Sequence, residues 1–358
     1  MNKAIKRGQL ARVIAAGGWS KAQMRAQTMD KSAETKAFLI AEGSVDIDEG
    51  ILGRITTPAS GPGAGLTSFF FRFNGHRVRL GIKHSSRLKA SLEGDEVVIR
   101  DHEKEIVRGY LEDAIAHCPE QAYITVSEVC IFDCQYCPVP LLGGSVKDQS
   151  DVETAIARIL ADPKLAHKLR AIALTSGVEE SPEREVERIA AIVRALRAKY
   201  DLPIGVSVYP TENSTKLLKD AGADELKYNV ETMDRLLFKT MCPELSLEFI
   251  MEALKDAVEV FGRNKVFSNI LVGLGEDDDT IINGMEELTG IGVIPILRAV
   301  VEHPLRSQTG MRRPDAERLL RLARKERELL DKHELRADVA QTMCAPCTGC
   351  DLVPHRDV

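Results

Sequence analysis

From Gln121 onward, short apolar, β-branched runs alternate with longer amphipathic stretches. The apolar runs fall at residues 123–129, 171–175, 204–208, 225–230, 266–272 and 293–301. Helical spacing of apolar positions covers 151–160, 183–199, 215–221, 246–261, 280–288 and 314–333. Near-continuous apolar strands separated by helices predict a parallel sheet covered by helices. Six such units predict an α/β domain in the form of a partial (βα)6 barrel, with its chemistry on the loops that follow the strands. Before Gln121 the pattern differs. The first fifty residues read as helical, and the Pro/Gly-rich stretch 56–65 reads as a loop. Asn74-Gly75 between 68–73 and 76–80 predicts a β-hairpin, and 96–99 a further strand. The expected organisation is an accessory α+β region of helices plus a hairpin over 1–115, the barrel over 116–335 and a cysteine-bearing C-terminal segment over 336–358.

The 358 residues carry a formal charge of −6 and one Trp, a poor composition for a general nucleic-acid binder. No apolar run approaches the roughly 18 residues of a membrane helix. The broken apolar runs of 1–18 do not fit a signal peptide. These features predict a soluble, cytoplasmic protein. Six of the eight cysteines lie in two tight triplets, Cys130/Cys134/Cys137 and Cys344/Cys347/Cys350. A disulfide framework belongs to small secreted chains, so clustered thiolates here point to metal. Three thiols in one short loop leave a four-iron cluster one ligand short and one iron open. Zinc is the alternative, with a fourth ligand brought in by the fold.

A Cys-x3-Cys-x2-Cys loop after the first strand of a six-unit βα domain, with Tyr136 before the last cysteine, resembles the radical S-adenosylmethionine (SAM) superfamily. The resemblance implies that Cys130, Cys134 and Cys137 hold a [4Fe-4S] cluster whose open iron takes SAM, with Tyr136 near the adenine. The cofactors then supply a 5′-deoxyadenosyl radical that abstracts hydrogen from an unactivated carbon. Ser176 and Gly177 stand where the family has a Gly-Gly-Glu-like segment for the SAM amino group. Asn229 and Glu231 are similar to an Asn-x-Glu segment of lipoyl and biotin synthases that holds the ribose and polar end of SAM. Residues 269–276 resemble the Gly-x-Ile-x-Gly-x-x-Glu segment of the same enzymes, with Asn269 in place of the first glycine. There Gly273 and Gly275 let backbone approach the ligand, and Glu276 orients the loop. Arg298 has the planar fork to pair with the SAM carboxylate, or else forms an ordinary ion pair.

The second triplet has the spacing of a further, auxiliary [4Fe-4S] cluster; a zinc knot and a reactive tail are the alternatives. Cys118, Cys242, His355, Asp351 and Ser307 are open as its fourth ligand. Cys118 and Cys242 otherwise read as small buried hydrophobes. His303 and Tyr209, at strand ends, are candidate substrate contacts. The resemblance implies sulfur insertion of lipoyl or biotin synthase type. The rival readings are a radical rearrangement, dehydrogenation or methylation in cofactor or peptide maturation, and an iron–sulfur carrier. The expected partners are a small-molecule or carrier-protein-bound substrate, a reductant such as ferredoxin or flavodoxin, and a second radical SAM protein.

Overall fold

The computed structural model describes residues 21–358, with side chains from residue 31 onward. The reading of residues 1–18 lies outside the described residues. Helix α1 (Lys21–Glu42) leads into six strands that close a small barrel: β1 (Ser44–Ile47), β2 (Ser68–Phe73), β3 (His76–Ile82), β4 (Leu88–Glu93), β5 (Glu96–Asp101) and β6 (Lys104–Glu112), in the order β1-β3-β2-β6-β5-β4. The Asn74-Gly75 hairpin is present, with Phe73 opposite His76. It is one part of a closed barrel that the sequence pattern did not announce. Strands β4 and β6 bury few positions on one face and carry Lys, Arg and Glu on the other, so alternation is blurred. Closure pairs every strand on both sides and leaves no free edge.

The second body is the expected partial (βα)6 barrel. Strands β7 (Gln121–Thr125), β8 (Ala171–Thr175), β9 (Ile204–Ser207), β10 (Glu225–Lys227), β11 (Val266–Val272) and β12 (Ile294–Ala299) form one parallel sheet in chain order. Helices α2 (Gln149–Ala161), α3 (Pro182–Arg197), α4 (Ser214–Ala221), α5 (Leu247–Phe261), α6 (Asp278–Gly290) and α7 (Ala316–Lys332) follow the strands. All seven residues of β11 are buried, as a strand covered on both faces requires. Asp148, Ser181, Ser246, Asp277 and Asp315 each cap a helix start through a side-chain oxygen, which fixes where the strand-to-helix loops end.

The C-terminal segment runs inside the barrel rather than over its surface. Met343, Cys344, Ala345 and Val353 share a core with Ala173, Phe267, Ile294 and Ile296 of the sheet. Gly205 makes room for it, because a Cβ there would lie 2.1 Å from Thr342 Oγ1. The buried Glu225 carboxylate accepts from Gln341 N, Thr342 N and Thr342 Oγ1 at 2.9, 2.8 and 2.6 Å. Gln121 takes both polar groups of Met343, donating to its carbonyl at 2.9 Å and accepting from its N–H at 2.7 Å.

Both ends of the described chain meet the small barrel at one buried ion pair. Lys36 Nζ of α1 donates to Asp357 at 2.6 Å and to the Thr348 carbonyl at 2.7 Å, and His76 of β3 meets the other Asp357 oxygen at 2.8 Å. Burial pushes the Asp357 carboxyl up, but Lys36 and the His76 hydrogen bond hold it below the usual range. A depressed carboxylate stabilises the fold above its unfolded pKa, and this contribution is lost as pH falls toward the folded one. Lys36→Met strands a buried carboxylate and is expected to cost about 3–5 kcal/mol in urea unfolding at neutral pH. The gap to wild type should narrow as the medium is acidified below about pH 4; a gap that stays constant refutes the pairing.

Candidate active site

A cavity of about 240 Å³ opens where the C-terminal ends of the strands meet the small barrel. Its walls hold Tyr136 and Cys137 of the first thiol loop, and Cys350 of the second. Asn229, Glu231, Asn269 and Arg298 line it from the sheet, and Arg79 of β3 lines it from the small barrel. Thus one space faces both cysteine triplets, which the sequence places more than two hundred residues apart.

The first loop is fixed from several directions. Ile131 N donates to Val178 O at 2.7 Å, Gln135 N to Met241 O at 2.8 Å, and Arg306 Nε to Cys137 O at 2.8 Å. Arg306 also pairs with Asp133. Gly177 seats against the strand that leads into the loop, donating to Ser127 O at 2.9 Å. Burial pushes the Cys130 thiol up and the Cys137 thiol to about 12. A hydrogen bond shared with Cys242, then burial, pushes Cys134 further up. The bare loop is therefore protonated at neutral pH, and metal binding there must release protons.

Glu231 sits at a backbone φ of +60°, an uncommon left-handed position for this residue type, held by Glu231 N to Asn269 O at 2.9 Å and Leu271 N to Glu231 O at 2.7 Å. Burial raises its carboxyl to about 7, against the pull of Lys227, the Tyr136 hydroxyl and Arg298. Asn229 Oδ1 accepts from Asn269 N at 3.3 Å. The Asn269 amide oxygen, on a residue 6% exposed, has no partner among the described residues. A buried acceptor without a partner in a cavity wall is what a ligand's N–H group would satisfy. Lys227 Nζ donates to Cys344 Sγ at 3.4 Å. Arg298 points its guanidinium at Cys344 Sγ, 3.6 Å away, and at Asp351, 3.3 Å away. Among the residues lining the cavity, Arg79, Lys227, Arg298 and Arg313 face a single carboxylate, Glu231. The space therefore favours a ligand with negative charge.

Tyr136, Asn229, Glu231 and Arg298 come together at the cavity, whereas Ser176, Gly177 and Gly273 do not line it. The Ser176 hydroxyl accepts from Ser127 N at 2.9 Å and donates to Glu185 at 2.5 Å. Gly273 is required by the chain's own backbone, since a Cβ there would lie 2.1 Å from Arg312 O. Glu276 orients its loop by accepting from the N–H groups of Gly273, Leu274 and Gly275 at 2.7, 2.8 and 3.0 Å. His303 caps the turn at Leu305, and the Tyr209 ring packs edge-on against Phe132 of the thiol loop, with centroids 5.3 Å apart. Cys118 and Cys242 are buried as expected, but each thiol meets a member of a triplet, Cys347 and Cys134 respectively. Sequence reasoning passed over His117, which lines the cavity beside Cys118. Its neighbour in the chain was the available signal. Among the described residues no three His, Cys, Asp or Glu side chains converge on one point as the ligands of a single ion do. A cluster asks something different of the loop, because each thiolate binds its own iron, and three soft donors suit it. Gly177→Ala is expected to destabilise the chain by about 1–3 kcal/mol in thermal unfolding, because its methyl would press on Val129 O at 2.2 Å. An unchanged melting temperature would refute the close approach.

Comparison with known proteins matches residues 124–288 to the Radical SAM superfamily. The lipoyl synthase of Glaesserella parasuis serovar 5 is 26% identical over 177 residues, 48% of this chain and 53% of that protein. Biotin synthase 2 of Paracoccus denitrificans is 26% identical over 191 residues, 52% of this chain and 58% of that protein. Among solved structures, a methylornithine synthase superposes with a TM-score of 0.48 at 18% identity, covering 57% of this chain and 62% of that one. The chain spans about half the length of the curated relatives it matches. No described helix is long and apolar enough to cross a membrane. The thiol loop, the six-stranded parallel sheet and the sequence match agree: residues 124–288 match the Radical SAM superfamily, and over about half its length the chain is similar to lipoyl and biotin synthases.

Proposed function

We propose that this enzyme inserts sulfur at an unactivated carbon, with SAM bound at the first thiol loop and a second, auxiliary [4Fe-4S] cluster at Cys344, Cys347 and Cys350. The observation that carries the reading is the shared cavity, with Cys137 in one wall and Cys350 in another. Cys130, Cys134 and Cys137 are the ligands for the cluster that the family implies. When bound, that cluster and SAM supply hydrogen abstraction by a 5′-deoxyadenosyl radical. The chain's own residues position and shield. Asn229 and Glu231 take the ribose and polar end of SAM, and the unpartnered Asn269 oxygen takes an N–H of the adenine. Tyr136 closes the adenine side. Gly273 shapes the fifth-strand loop. The cations of the cavity hold the SAM carboxylate, with Arg298 nearest the second triplet. An auxiliary cluster held by Cys344, Cys347 and Cys350 would supply the sulfur: one C–H bond would be lost per SAM, its hydrogen leaving in 5′-deoxyadenosine, and the C–S bond would replace an Fe–S bond, with one electron passing to the cluster's iron. A protein reductant of ferredoxin or flavodoxin class supplies electrons. The substrate is a small molecule or an acyl group on a carrier protein, and a second radical SAM protein is a candidate partner.

Anaerobically reconstituted protein, given dithionite and SAM, is expected to release 5′-deoxyadenosine, and Cys134→Ala to abolish it; equal release by the variant would remove the foundation of the reading. Asn269→Leu should weaken SAM binding about five- to tenfold in calorimetry, the value of about one hydrogen bond. For sulfur insertion, the probes are an octanoyl-lysyl peptide and dethiobiotin, the sulfur-free counterparts of the groups for which the two relatives are named. A sulfur-containing product with matching loss of acid-labile sulfide supports insertion. Repeated turnover with both clusters intact turns the assignment to a rearrangement or dehydrogenation.

A further inference from the structure

Cys344, Cys347 and Cys350 leave a four-iron cluster one protein ligand short. We infer that Cys118 is the fourth ligand, so that all four irons of the second cluster are held by thiolates. This rests on the auxiliary-cluster reading above. Cys118 is fully buried, and its thiol shares a hydrogen bond with Cys347. The two sulfurs share a small core with Phe70 of β2.

Independent clamps bring the two segments together. Three residues after Cys118, the Gln121 side chain binds both polar groups of Met343, the residue before Cys344. Arg77 of β3 spans the same gap. It donates to Glu120 at 2.9 Å on the Cys118 side, and to the Cys347 carbonyl at 3.0 Å on the other. Lys36 and Arg79 fix the turn itself, through Lys36 Nζ to Thr348 O at 2.7 Å and Arg79 N to Gly349 O at 2.6 Å. Four thiolates around a cluster carry net negative charge into a buried place, which is tolerated only beside cations. Lys227 and Arg298 reach Cys344, and Arg77 reaches the Cys347 turn.

The other candidate ligands are placed elsewhere or engaged. Cys242 meets Cys134 of the first loop. The His355 ring binds Asp331 through Nε2 at 2.9 Å, and its buried Nδ1 has no partner among the described residues. Ser307 is exposed. Asp351 is the rival next to the triplet in sequence: it is buried beside Cys350, and its Oδ1 makes no hydrogen bond, though it lies 3.3 Å from Arg298. A carboxylate is the harder donor, and thiolate is the ligand that iron–sulfur clusters select. With Cys118 in place no iron of the second cluster is open, so substrate meets it through the Cys350 side of the cavity without binding iron.

The test uses the full chain with Cys130, Cys134 and Cys137 all changed to Ala, so that the second site is read by itself. After anaerobic reconstitution, iron and sulfide analysis should give about four irons per chain. Adding Cys118→Ala should lower this to about three irons or fewer, with the paramagnetic signal of a three-iron cluster after mild oxidation. Cys118→Ser preserves size, carries the test if the alanine variant does not fold, and should shift the Mössbauer parameters of one iron. Asp351→Asn should change neither. Full iron content and unchanged spectra in Cys118→Ser, or an iron loss that follows Asp351→Asn instead, overturns the ligand assignment while leaving the auxiliary cluster standing. No iron in the parent triple variant overturns both.

Discussion

Burying the stretch from Gln341 to Asp351 inside the barrel removes water from its backbone polar groups, and side chains of the sheet must replace it. Glu225 of β10 and Gln121 of β7 do so, and they answer Gln341, Thr342 and Met343 in turn. Everything near the second thiol set depends on this docking. It places Cys344 against Lys227 and Arg298, and it lets Cys350 reach the cavity that Tyr136 and Cys137 also line. The same constraint explains Gly205, where any side chain would collide with Thr342.

Charge completes the arrangement. Lys227 is 3% exposed, and a buried ammonium is costly unless it is paired. Its hydrogen bond is to a cysteine sulfur, a weak acceptor as a thiol and a strong one as a thiolate. Lys227, Arg298 and Arg77 thus place positive charge beside the second triplet. At the first loop, as at Cys350, burial acts against ionisation. Burial keeps the Cys130 and Cys137 thiols protonated until iron displaces the protons.

The small N-terminal barrel earns its place through contact rather than as an appendage. β3 supplies Arg79 to the cavity, and Arg77 to the turn that carries Cys347. His76 of the same strand meets Asp357 together with Lys36 from α1. Lys36 of α1 and Asp357 are therefore tied to the strand that also borders the cavity.

The six βα units were legible because strands such as β8 and β11 are apolar enough to be buried on both faces, and such runs stand out in any register. The cysteine loop was legible because its ligands are local, closing within eight residues of sequence. The closed N-terminal barrel was not, because β1 pairs in parallel with both β3 and β4, and such pairing leaves no mark in local spacing. For the same reason Cys118 and Cys242 read as solitary buried residues until folding set each beside a triplet. By itself the sequence determined the strand and helix alternation from Gln121 onward and the grouping of six thiols into two triplets, since these follow from local periodicity and spacing; it read β1, Ser44–Ile47, as part of a helical stretch. Only the tertiary structure decided which thiols share a wall, because that depends on contacts between segments whose separation along the chain carries no energy term of its own.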